Sequence, residues 1–79
     1  MTKEEILSGL KEVIGAVKPK LDVSGVGMDT QLASELGIDS LSMLLMSLAI
    51  ETKFNFQFKT QTPFRTVGEV VDYISESIA

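Results

Sequence analysis

Cysteine and histidine are both missing from this chain of 79 residues, and the two absences together remove much of protein chemistry. Without cysteine there is no disulfide, no thiolate metal ligand and no protein-borne thiol nucleophile. Without either residue, a hydrolase triad, a zinc site or a histidine general base cannot be assembled from this chain alone. Positive charge is scarce as well: 7 Lys and Arg stand against 11 Asp and Glu, for a net charge of -4 and a pI near 4.6. That balance argues against nucleic acid or an anionic membrane surface as partner, since both require a positive patch. A basic protein partner suits the sign better. Long hydrophobic runs are missing too. The longest, Met43 to Met46, is far too short to span a bilayer. The first residues, Met1-Thr2-Lys3-Glu4-Glu5, have none of the character of a signal peptide. These features predict a cytoplasmic protein with no membrane insertion.

What is present is 44% hydrophobic and 23% charged, which predicts one domain over residues 1–79 with a small core. An unstapled domain of this size is held by only about 3 to 5 kcal/mol, so nearly every long apolar side chain has to contribute. Thr2 followed by Glu5 is a capping-box pattern that opens a first helix. Ile6, Leu7, Leu10, Val13, Ile14 and Val17 recur at helical spacing on its inner face, with Lys3, Glu4, Lys11 and Glu12 on the wet side. Pro19 ends it. From Lys20 to Ile38 no period is sustained, and Gly25, Gly27 and Gly37 punctuate a long connection. Leu21, Val26, Leu32, Leu36 and Ile38 are its expected anchors, and Asp29 to Leu36 is expected to form a helical turn or two ended by Gly37.

A central helix should begin with Asp39 as N-cap and run to about Thr52 or Lys53. At about 100° per residue its apolar side chains fall into two opposed stripes. Met43, Met46, Ile50 and Phe54 form one; Leu41, Leu44, Leu45 and Leu48 form the other. Phe54 to Phe58 alternates as a strand would, but nothing else in the chain can pair with it. It therefore reads as an extended linker whose three phenylalanines close one end of the core. Thr62-Pro63-Phe64-Arg65 fits a capped single turn. Thr66 and Glu69 repeat the capping box and open a last helix with Val67, Val70, Val71, Ile74 and Ile78 inward. Tyr73, off the centre of that stripe, is expected half buried with its hydroxyl in water. The fold class is all-α: a small bundle of three to four helices with a long loop between the first two.

With His and Cys gone, one polar combination stands out. Asp39-Ser40 sits where a glycine-ended loop meets the central helix, so Ser40 can be modified without entering the core. The unpaired amides and the positive dipole end of the first turn favour an anion there, by about 0.3 to 1 kcal/mol at an exposed site. That is enough to orient a group and too little to drive chemistry. Asp-Ser before an apolar run is also simply how many helices begin.

The wider pattern narrows this choice. Leu36-Gly37-Ile38-Asp39-Ser40-Leu41, then an apolar helix, then Val67-Gly68-Glu69-Val70-Val71-Asp72-Tyr73-Ile74, closely resembles the acyl carrier proteins over almost the whole chain. The resemblance implies that Ser40 carries 4'-phosphopantetheine, installed from coenzyme A by a phosphopantetheinyl transferase with a divalent metal, and that Asp39 is the motif acid that helps position serine and metal. No metal site of the chain's own is implied. The cofactor would supply the thiol that the sequence lacks, and the protein would be a non-catalytic monomeric carrier acted on by acyl-loading and acyl-processing enzymes.

Family members shelter short acyl chains between their helices, which makes Met43, Met46, Ile50 and Phe54 the implied lining, and methionine suits a core that opens on a guest. Carriers of bacterial fatty acid synthesis present several carboxylates on the outer face of the central helix. Here Ser42, Leu45, Thr52 and Lys53 stand where acids are expected and only Glu51 is kept. The segment Lys59 to Arg65 is also shorter and less acidic than in those carriers. Leu41, Leu44, Leu45 and Leu48, with Glu51, are thus the candidate docking residues, since an exposed apolar patch usually marks a binding surface. The expectation is a free-standing acyl carrier of a specialised fatty acid, lipid or polyketide pathway. The alternatives are a peptidyl, aryl or aminoacyl carrier and, in a different class, a non-carrier helical interaction module.

Overall fold

A computed structural model describes residues 2–59 and 64–78. Its elements are α1 (Lys3–Val17), α2 (Ser40–Phe54) and α3 (Val67–Ile78), in agreement with the all-α expectation. Thr2 and Glu5 close the capping box in both directions: each backbone amide donates to the other's side chain, at 3.0 and 3.1 Å. Ile6, Leu10, Val13 and Ile14 are buried, and Leu7 and Val17 pack against the same core half-buried. At α3 the expected box is offset by one residue. The Glu69 amide donates to the Thr66 hydroxyl, but the Glu69 carboxylate accepts from the amide of Arg65 rather than that of Thr66.

α1 lies against both α2 and α3, and the long connection fills the remaining side of the core. Val26, Leu32, Leu36 and Ile38 are buried in one cluster with the three helices, as expected for anchors. What the periodicity did not announce is how the connection is fastened. Leu32 donates its amide to the Arg65 carbonyl, Val67 to that of Thr30 and Gly68 to that of Met28, at 2.9, 2.9 and 2.7 Å. A Cβ on Gly68 would lie 2.7 Å from the Met28 oxygen, so only glycine permits this last contact. Around Gln31 to Gly37 the expected turn is present: Glu35 and Gly37 donate to the carbonyls of Gln31 and Ala33, and Gly37 takes the left-handed φ of 66°.

Two expectations need correction. α2 continues through Phe54 and ends at Asn55, which adopts a left-handed φ of 56°. Phe54 is thus a helical core residue whose ring lies against Gly9, where a Cβ would be 2.7 Å away, and it does not share a side with Phe56 and Phe58. Those two form an aromatic cluster with Phe64 and Tyr73, with centroids 4.9 to 6.3 Å apart. Tyr73 is half-buried as expected, and its solvent-exposed hydroxyl also accepts the Lys59 amide at 2.8 Å. The turn expected at Thr62-Pro63 lies outside the described residues.

Candidate functional site

Three consecutive constraints bring Ser40 to the surface. Leu36 and Ile38 are buried on either side of Gly37, and Ile38 donates its amide to the Leu32 carbonyl at 2.9 Å. Gly37, in its left-handed conformation, turns the chain between them. Asp39 then caps α2 from an extended backbone (φ -88°, ψ -174°), its carboxylate accepting the Ser42 amide at 2.8 Å while its carbonyl accepts that of Met43. Ser40, the first residue of the helix, is exposed.

The electrostatics of this corner follow from those bonds. The Asp39 carboxyl is held below its ordinary 3.8, first by the Ser42 amide, then by the Ser42 hydroxyl, with a further contribution from the Lys18 ammonium. It is therefore an anion engaged in capping and is not a free base for the neighbouring hydroxyl. Among the described residues no group of three or more His, Cys, Asp or Glu side chains is placed to hold a metal ion.

The two stripes of α2 separate cleanly. Met46 and Ile50 are 1% and 0% exposed, Phe54 is buried with them, and Met43 packs half-buried on the same cluster. Leu41, Leu44, Leu45 and Leu48 are 65%, 57%, 49% and 54% exposed. Two residues assigned to the outer face do not present themselves there as expected. Ser42 is buried, so an acid at that position would not have been a surface charge. Glu51 is half-buried, and its carboxylate accepts the Phe58 amide at 2.8 Å, so it fastens the chain after α2. Lys53 is drawn towards α1 by an ion pair with Glu12 at 2.7 Å.

Sequence reasoning missed the neighbours that α1 brings to this surface. A groove lined by Val13, Ala16, Leu48, Ala49, Thr52 and the Glu12–Lys53 pair runs beside the leucine face, and Lys18 lies within electrostatic range of Asp39. Neither follows from local spacing; both depend on the antiparallel pairing of α1 with α2.

Comparison with known proteins identifies the family. Residues 4–74 match the family model described as "Phosphopantetheine attachment site". The chain is 37% identical over 79 residues to an acyl carrier protein of Acidothermus cellulolyticus, covering 98% of this chain and 93% of that one. It is 36% identical over 77 residues to the meromycolate extension acyl carrier protein of Mycolicibacterium smegmatis (95% and 77% covered). Against the mitochondrial acyl carrier protein of Saccharomyces cerevisiae it is 32% identical over 82 residues (98% and 66% covered). The chain belongs to the phosphopantetheine-attachment family and, within it, to the acyl carrier proteins. Its cofactor is covalently attached 4'-phosphopantetheine. Membership in the family implies interaction with a phosphopantetheinyl transferase and with acyl-processing enzymes. No helix among the described residues is long and apolar enough to cross a membrane.

The corner at Ser40 suits such a group. An exposed hydroxyl at the positive end of a helix tolerates a phosphodiester without desolvating it, and the Asp39 carboxylate beside it is engaged by the Ser42 amide. When attached, 4'-phosphopantetheine supplies the thiol that this cysteine-free chain lacks, on which acyl groups are held as thioesters.

Proposed function

We propose that Ser40 is the attachment residue, that Asp39 orients it and helps position the transferase's metal, and that the chain is a monomeric, cytoplasmic carrier with no catalytic step of its own. The observation that carries this reading is the exposed Ser40 at the start of α2, held out from the core by buried Leu36 and Ile38. The pathway is a dedicated fatty acid, lipid or polyketide assembly, a reading supported by the unusual outer face of α2 and by the lipid-building name of the mycobacterial relative.

In this reading the partners dock on Leu41, Leu44, Leu45 and Leu48, and they bring apolar side chains to that face. The charge pattern supports an apolar partner: α2 carries a single carboxylate, Glu51, and one of its oxygens is bonded to the Phe58 amide. Met43, Met46, Ile50 and Phe54 line the space that an acyl chain would open in the core, with Met43 at its half-buried edge.

The test is direct. Incubation with coenzyme A and a permissive phosphopantetheinyl transferase should add one phosphopantetheine to the intact mass, and Ser40→Ala should abolish the addition. An unchanged wild-type mass with several transferases, or a modified Ser40→Ala chain, would refute the assignment.

A further inference from the structure

The end of α1 and the two ends of the long connection border an open recess of about 460 Å³ lined by Val17, Lys18, Pro19, Lys20, Leu21 and Leu36. Its walls are mostly aliphatic, and two lysines, Lys18 and Lys20, are among its lining residues in a chain that is otherwise acidic. The helix pairing fixes where it lies. Gly9 meets Phe54, Glu12 pairs with Lys53, and Ala16 shares a groove with Leu48 and Ala49. Each step towards the end of α1 is therefore a step towards the start of α2. Leu36, the wall contributed by the connection, is four residues ahead of Ser40. Lys18 is near enough to Asp39 for its charge to favour the ionised carboxyl.

We propose that this recess is a resting subsite for the arm on Ser40, with Lys18 and Lys20 facing its phosphodiester and the aliphatic surface of Val17, Leu21 and Leu36 receiving the dimethyl group of its pantoyl unit. The proposal rests on the carrier reading of Ser40. Its physical basis is complementarity plus tethering. A phosphodiester is an anion next to a branched aliphatic group, and the recess combines two lysines with aliphatic walls. Exposed ion pairs are individually weak. A tether, however, raises the effective concentration to about the millimolar range, so a site with a dissociation constant of about 1 mM is roughly half filled. An arm resting there lies on the α1 side of the helix corner. The leucine face of α2 then stays free for a partner.

Solution NMR of the isotope-labelled holo chain tests the idea, with intact mass establishing that the arm is present. The expected result is a set of nuclear Overhauser contacts from the pantoyl methyls to those of Val17, Leu21 and Leu36. Amide shifts between apo and holo forms should extend to residues 17–21 and 36. The double variant Lys18→Gln/Lys20→Gln should lose at least about half of both signals, and Lys18→Arg/Lys20→Arg should restore them. A loaded chain whose shifts stop at the neighbours of Ser40, or a glutamine variant that keeps the contacts, overturns the subsite while leaving the carrier reading intact. A chain that accepts no arm overturns both.

Discussion

The inward face of α2, with Met46, Ile50 and Phe54, and its outward face, with Leu41, Leu44, Leu45 and Leu48, are equally apolar, yet one is sealed and the other stands in water. Hydrophobicity did not decide between them. Neighbours did: Gly9 of α1 lets the Phe54 ring approach, and the connection lays Val26, Leu32, Leu36 and Ile38 into the same core. No described element covers the leucines. Full burial of a leucine is worth about 1.5 to 3 kcal/mol, so leaving several half-exposed forgoes stability that a small domain could use. In a functional reading, that stabilisation is reserved for a partner that covers the patch.

The comparison breaks most visibly if the two faces respond alike to truncation. Ile50→Ala should cost about 2 to 5 kcal/mol, a large share of the about 3 to 5 kcal/mol expected for a domain of this size, and should leave much of the protein unfolded at room temperature. Urea denaturation followed by circular dichroism measures it. Leu48→Ala, of the same chemistry on the opposite face, serves as the control and should stay within about 0.5 kcal/mol. Equal losses would mean that the leucines are core.

A smaller effect concerns the cap that starts the helix and so sets which way each face turns. The folded Asp39 carboxyl lies below 3.8, chiefly because it accepts the Ser42 amide. The folded state thus binds this proton less tightly than the unfolded chain does. Its stabilising contribution is fully present above the ordinary carboxylate range and is lost as pH falls through the lowered folded value. Glu5, Glu12 and Asp22 are lowered as well, by Thr2, Lys53 and Ser24 respectively. The Asp39 share is therefore isolated as a difference from Asp39→Asn, which retains a capping oxygen. The gap between the two urea midpoints should be constant near neutrality and shrink below about pH 4; a gap independent of pH would remove the charge of Asp39 from the account.

The separation of the two faces also marks how far the sequence could be read. The capping box at Thr2, the inner stripes of α1 and α3, the buried anchors of the connection and the Asp-Ser start of α2 are local signals, carried by a few residues at fixed spacing. Two opposed apolar stripes on one helix are equivalent in projection, and only α1 and the connection distinguish them. The same limit explains the rest. Ser42 read as a surface position, and its burial is not visible in the local spacing of α2. Glu51 read as a free acid because its partner, the Phe58 amide, becomes available only when Asn55 turns the chain left-handed. Tyr73 reaches the Lys59 amide across fourteen residues, beyond any periodicity.

The smallest stability effect is expected where the functional effect is sharpest. Leu45→Glu places a carboxylate on a side chain already 49% exposed, so its urea midpoint should match the wild type within about 0.5 kcal/mol. If the partner contacts this face through apolar groups, the buried charge has no counterpart there, and losing a central contact of about 2 kcal/mol or more lowers kcat/KM for acyl loading at least about tenfold. Loading by the phosphopantetheinyl transferase and by the cognate acyl-loading enzyme should be measured on the same preparation, because the two enzymes need not share a footprint. A basic partner would respond in the opposite direction, since the new carboxylate would add the charge that α2 lacks. Unchanged stability with faster loading would therefore keep the exposed face but replace the apolar partner with a basic one, whereas a collapse like that of Ile50→Ala would return Leu45 to the core.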